Sequence, residues 1–146
     1  MIVGGFDPDR GPHPFVRAAV KIERLVPRWR FIDFVIDTGA SMTVVHPHDS
    51  IYRLLLPIPL LQNVNAWPTT RVARGVNGDT RLFEVAATLG FLDGDDLREF
   101  VFPLSIAQMT ATNRELPSLL GWDILQTMDV RLNRSQGVVE MTFTDA

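Results

Sequence analysis

The segment FVIDTGASMTVV, residues 34–45, constrains this chain more than any other. Two apolar runs flank a single acid and a turn of small residues. A strand that buries its way toward a carboxylate is unfavourable unless nearby groups need that charge. The pattern predicts a strand over 30–36 that delivers Asp37 to the surface of the core. Gly39 permits a tight turn whose amides approach the carboxylate, and Thr38 offers a hydroxyl able to bond across an interface. A second, β-branched strand is expected over 41–45.

The remainder of the chain reads as short strands. Residues 20–26 alternate apolar and charged positions, a break is expected at 27–30, and the strand over 30–36 completes a hairpin. Asp49 or Ser50 is placed to cap a one- or two-turn helix stopped by Pro57. Two strand-like arms flank GVNG at 75–78, whose Asn77-Gly78 pair is a hairpin-turn signal. A further hairpin has Asp93-Gly94 near its tip, and a last one occupies 129–143. Between them, 116–128 reads as a buried strand, a glycine and a short helix from about Trp122 to Met128. Residues 1–14, rich in Gly, Pro and Asp, read as a flexible arm with a short strand at Ile2 and Val3; residues 15–146 form one all-β domain.

Composition narrows the function classes. A length of 146 residues suits one core, and a net charge of −3 with no basic stripe argues against nucleic acid. The absence of cysteine removes disulfides, thiolate metal sites and cysteine nucleophiles. The most apolar window, 54–61, is too short and proline-broken to span a bilayer, and it reads as core beneath a loop. The N-terminus lacks the charged and apolar regions of a secretory signal, so a soluble cytoplasmic protein without a membrane partner is expected.

FVIDTGAS resembles the catalytic segment of the retropepsin-like aspartic proteases. SLLGWDIL at 118–125 is similar to that family's second signature, and RGVNG at 74–78 lies between them where the family carries a flap hairpin. Ser41 stands where the family often has an acid. The resemblance implies a closed, barrel-like acid-protease fold with a flap and one short helix near the C-terminus. It implies Asp37, Thr38 and Gly39 as catalytic residues, and Ala40, Gly75, Val76, Asn77 and Gly78 as substrate-binding ones. No metal or other cofactor is implied. Aspartic proteases need two acids sharing one proton, and this chain holds a single Asp-Thr-Gly, so the resemblance implies a homodimer acting on extended peptides. Terminal strands, chiefly 138–143, are expected to seal that dimer. The alternative is an inactive relative that binds peptides or only dimerises.

Other readings are weaker. The start MIVGG is shared with trypsin-like enzymes, but no Gly-Asp-Ser-Gly segment follows and the chain is too short for two barrels. His46, His48 and Asp49 match no standard metal spacing, and 93–96 lacks the glutamate of a calcium loop.

Overall fold

Alternating burial organises the chain into two β-sheets. A computed structural model describes residues 1–8, 11–75 and 78–144. The smaller sheet has the order β1 (Ile2–Val3), β11 (Val138–Phe143), β10 (Met128–Asn133). The larger runs β2 (Gly5–Phe6), β3 (Pro14–Ile22), β4 (Val26–Ile36), β9 (Leu119–Leu120), β5 (Val44–Val45), β8 (Asp96–Ala107), β7 (Gly78–Asp93), β6 (Thr69–Gly75). A second pairing of β3, with β7 at Ala19↔Gly90, closes this sheet on itself. The fold is therefore all-β, as the sequence leads one to expect. Two short helices interrupt it, α1 (Pro47–Tyr52) and α2 (Trp122–Leu125). No described helix is long and apolar enough to cross a membrane.

The core lies inside the closed sheet. Even-numbered residues of β4, Ile32, Phe34 and Ile36, are buried against Phe83, Phe91, Leu104 and Leu120. Odd-numbered Phe31, Asp33 and Val35 turn away from that core, as the two-residue period of a strand requires. The segment after α1 is a cover rather than a free lobe: Leu54, Leu56, Leu61 and Trp67 are buried. The Trp67 ring stacks on Phe83 with centroids 5.0 Å apart, and its Nε1 donates to Leu60 O at 2.9 Å.

Several boundaries differ from expectation. The β3–β4 turn lies at 23–25, with Arg24 at φ 71°, and 27–30 belong to β4. The ladder slips between Val20↔Arg30 and Ile22↔Val26, so 27–29 face Lys21 alone and Pro27 removes no ladder hydrogen bond. Only Val44 and Val45 of 41–45 are strand. Helix α1 starts at Pro47 behind His46, where proline's missing N–H is harmless, so neither Asp49 nor Ser50 caps it. Helix α2 ends at Leu125, and Met128 already belongs to β10. Segment 1–14 carries two paired strands: Ile2 pairs with Met141 and Gly5 with Phe15. Most consequential, β11 is the central strand of its sheet. It pairs with β10 along its whole length and with β1 at Met141 and Glu140.

Candidate active site around Asp37

Strand β9 is only two residues long, yet it sets the geometry of the Asp37 turn. It lies between β4, to which it is parallel, and β5, to which it is antiparallel. The chain leaving β4 must therefore cross over β9 before it can enter β5, and 37–43 make that crossing. Val35 N donates to Ser118 O at 2.9 Å and Asp37 N to Leu120 O at 3.1 Å, so the register holds up to the acid itself.

The turn is closed locally. Ala40 N donates to Asp37 O at 3.2 Å, and Gly39 N donates to Asp37 Oδ1 at 2.8 Å. An aspartate that accepts from the amide two residues on is a turn-former, but here only one of its oxygens is used in that way. Asp37 Oδ2 accepts no hydrogen bond among the described residues. Asp37 is half-buried, while Thr38 and Gly39 are exposed and Ala40 is half-buried. The Thr38 hydroxyl likewise has no partner among the described residues.

Helix α2 supports the turn from beneath. Its first amides have no side-chain cap; Trp122 N donates instead to Ala40 O at 2.9 Å and Asp123 N to Ser41 O at 3.2 Å. Trp122 Nε1 also donates to Thr38 O. In return the Asp123 carboxylate accepts from Thr43 N at 2.8 Å and from the Thr43 hydroxyl at 2.7 Å. The Thr43 hydroxyl oxygen accepts from Gly121 N at 3.0 Å. Helix and crossing loop thus satisfy each other's polar groups. A Cβ on Gly121 would lie 2.5 Å from the carbonyl of Met42, so this glycine is required by close packing. Its φ of −102° is ordinary.

Sequence reasoning brought Asp37, Thr38, Gly39 and Ala40 into one turn, and the structure joins them there. It missed Thr43, Trp122 and Asp123. The available signal was an acid in the first turn of a helix with no other cap.

Gly75 pairs with Gly78 across the β6–β7 hairpin, while Val76 and Asn77, expected at the flap tip, lie outside the described residues. Strand β7 pairs with β8 only from Leu82 onward, so the hairpin projects past the closed sheet. No described hydrogen bond joins it to the Asp37 turn.

A cavity of about 270 Å³ lies further along the outward face of β4, bounded by Phe15, Val35, His48, Asp49, Arg53 and Leu116. Its wall is tied down beside β9. Ser118 Oγ donates to Asp49 Oδ2 at 2.6 Å and accepts from His46 N at 3.0 Å. His46 Nδ1 lies 2.7 Å from Pro117 O, which can only accept, so Nδ1 carries the proton. His46, His48 and Asp49 do not converge on a common point, and no group of three metal-binding side chains occurs among the described residues.

Burial holds the His46 pKa below its ordinary 6.5, against smaller opposing effects of the Pro117 carbonyl and Asp49. The unfolded chain therefore protonates first as pH falls. The contribution of neutral His46 is complete above pH 6.5 and is lost as pH drops through the lower folded value. His46→Asn retains a donor for Pro117 O without a titrating ring. It is expected to flatten the decline in unfolding free energy between about pH 7 and about pH 5. Urea titrations at several pH values measure that slope; an unchanged slope would assign the pH dependence to other groups.

Compared with known proteins, the chain matches no family model and no curated protein.

Proposed function

We propose that this chain is one half of a homodimeric aspartic endopeptidase with a retropepsin-like fold, cleaving extended peptides or proteins. The observation that carries this reading is the crossing loop. A two-residue strand threads between β4 and β5, Gly121 presses on the Met42 backbone, and the turn so braced presents a carboxylate with one oxygen held and the other accepting no hydrogen bond among the described residues.

In the dimer, Asp37 and its symmetry mate share one proton. The ionised carboxylate takes a proton from water as the water oxygen attacks the scissile carbonyl carbon. The protonated mate gives its proton to the carbonyl oxygen. Collapse of the tetrahedral species breaks the C–N bond, and the leaving nitrogen is protonated by a carboxylic acid of the pair. The Thr38 hydroxyl bonds across the interface and keeps the two loops in register. The β6–β7 hairpin, in which Gly75 pairs with Gly78, closes over a peptide that binds as an added strand. The cavity beside Val35 lies two residues from Asp37, about 7 Å along a strand. It takes a side chain of the bound peptide, and its mixed lining selects one with both apolar and polar parts.

The test is cleavage of a diverse peptide mixture from about pH 3 to about pH 7, the range in which such dyads change state. Cuts that peak at mildly acid pH, with specific activity falling on dilution as dimers dissociate, support the reading. A rate that only rises toward alkaline pH contradicts it. A well-folded dimer that binds extended peptides and leaves them intact overturns the peptidase in favour of a binding module.

A further inference from the structure

We infer that the end of the β3–β4 hairpin docks on an anionic lipid surface, with Leu25 seated in the bilayer boundary and Lys21, Arg24, Arg28 and Arg30 against lipid phosphates. The inference stands on charge and exposure at the hairpin, and it holds whether or not the chain is a peptidase. Residues 21–30, KIERLVPRWR, carry four cations and one acid. The net charge of the chain is −3, so the other residues together carry −6. Composition over the whole chain averages these two regions, which is why it leads one to expect no membrane partner.

The fold leaves those cations uncompensated. None of the four forms an ion pair among the described residues. Arg24 and Arg28 are exposed. Arg30 Nε donates to Arg53 O at 2.8 Å, a neutral acceptor, so its charge is held in place without being offset. Lys21 Nζ lies 4.3 Å from the centre of the Trp29 ring, a contact allowed by the slip that sets 27–29 opposite Lys21. Farther along β4, Asp33 is already paired with Arg17 at 2.9 Å, so it does not neutralise the hairpin end.

Apolar groups at the same end select lipid over other polyanions. Leu25 is 39% exposed in the turn itself, next to Arg24. The row that runs from Lys21 to Thr88 continues to Val101, which is 77% exposed. Phe31, two residues beyond Trp29, is exposed as well. A nucleic-acid backbone makes no use of an exposed leucine, and the indole able to stack on a base is covered by Lys21. Cations around an apolar tip, with a half-buried tryptophan behind it, suit the boundary between headgroups and acyl chains. Strand β4 runs from this end, at Val26, to Ile36, about 30 Å, and Asp37 follows. Docking by the hairpin end therefore leaves the Asp37 turn at the far end of the strand from the lipid.

Co-sedimentation with vesicles of equal parts phosphatidylglycerol and phosphatidylcholine tests this. The protein is expected to bind them in about 0.1 M salt and to ignore pure phosphatidylcholine. In about 1 M salt binding should weaken at least about 10-fold, because the screening length falls from about 10 Å to about 3 Å. Arg24→Glu combined with Arg28→Glu exchanges two attractive charges for repulsive ones, and at least about 100-fold weaker binding is expected. Leu25→Ser keeps every charge and removes the apolar tip, for a loss of about 5- to 10-fold. A second measurement leaves the cations in place. The chain has no cysteine, so Leu25→Cys takes a single polarity-sensitive dye whose emission should shift to the blue on the anionic vesicles. The same dye on Asp95→Cys should not respond. Strand β7 passes Lys21 at Thr88 and Ala19 at Gly90, so its turn with β8 lies away from the hairpin end. No binding to anionic vesicles, equal binding to both vesicle types, or variants that bind as tightly as wild type would each overturn the docking. So would a dye response at Asp95→Cys rather than Leu25→Cys. Binding of a DNA duplex without binding of vesicles, weakened by the two arginine reversals, would overturn lipid in favour of nucleic acid.

Discussion

Asp37→Asn is expected to abolish peptide cleavage, with a loss of at least about 10²–10⁴-fold, while the fold and dimer persist. The substitution is well suited to separate chemistry from structure. Asn keeps an oxygen where Asp37 Oδ1 accepts from Gly39 N at 2.8 Å, so the turn retains its hydrogen bond. It removes the ionisable group, and two amides facing each other across the axis cannot hold a shared proton. The check is mass spectrometry of a peptide digest by matched, sized dimers of both proteins. Cuts that survive in the variant would mean that another group, or another protein in the sample, performs the hydrolysis. Loss of cutting together with loss of the folded dimer would instead make Asp37 a structural acid.

Gly121→Ala carries the largest expected effect on stability. The added methyl would sit 2.5 Å from Met42 C and O and 2.8 Å from Met42 N, all backbone atoms of the crossing loop. No rotamer relieves such a contact, so the loop must move away from α2. That strains the bonds from Trp122 N and Asp123 N to Ala40 O and Ser41 O. About 3 kcal/mol or more of stability is lost, which for a domain of this size lowers Tm by roughly 10 °C. Any variant that still folds should cleave far more slowly, since a displacement of about 1 Å in a catalytic group can reduce the rate about 100-fold. Gly5→Ala is the control, because its nearest neighbour is a ring carbon of Phe15 at an ordinary 3.5 Å. Thermal melts of the two variants decide the matter: equal melts would remove Gly121 from its role as a contact point.

The contrast between these glycines shows what could be read from sequence. Gly94 lies in the turn between Asp93 and Asp96 with φ of 65°, a local need, and the acids around it made the turn visible. Gly121 has ordinary backbone angles and is required only because Met42, far away in the chain, packs against it. Its importance was legible through its place in SLLGWDIL. Pairing partners were less legible than strands. Nothing in 138–143 distinguishes a central strand from an edge one, because that depends on where β1 docks. Pro27 argued for a break, and only the slip opposite Lys21 makes it tolerable in β4. The bonds among Thr43, Gly121 and Asp123 join residues about 80 apart, and no spacing rule reaches so far.

That long reach has a consequence in time. Thr38 and its partner Trp122 are 84 residues apart, and β9 immediately precedes the latter. At a synthesis rate of about 5–20 residues per second, Asp37 leaves the ribosome roughly 4–17 s before the strand that braces it. Throughout that interval the acid belongs to an unformed turn. Contacts between such distant segments also form late in refolding, so the amides of Val35 and Asp37 should gain exchange protection in the slowest phase. Protection of these two amides before that of the β7–β8 hairpin would contradict this order. A turn built this way is delayed by its own topology, because Leu119, Leu120 and Trp122 must be made before Asp37 can be set in place.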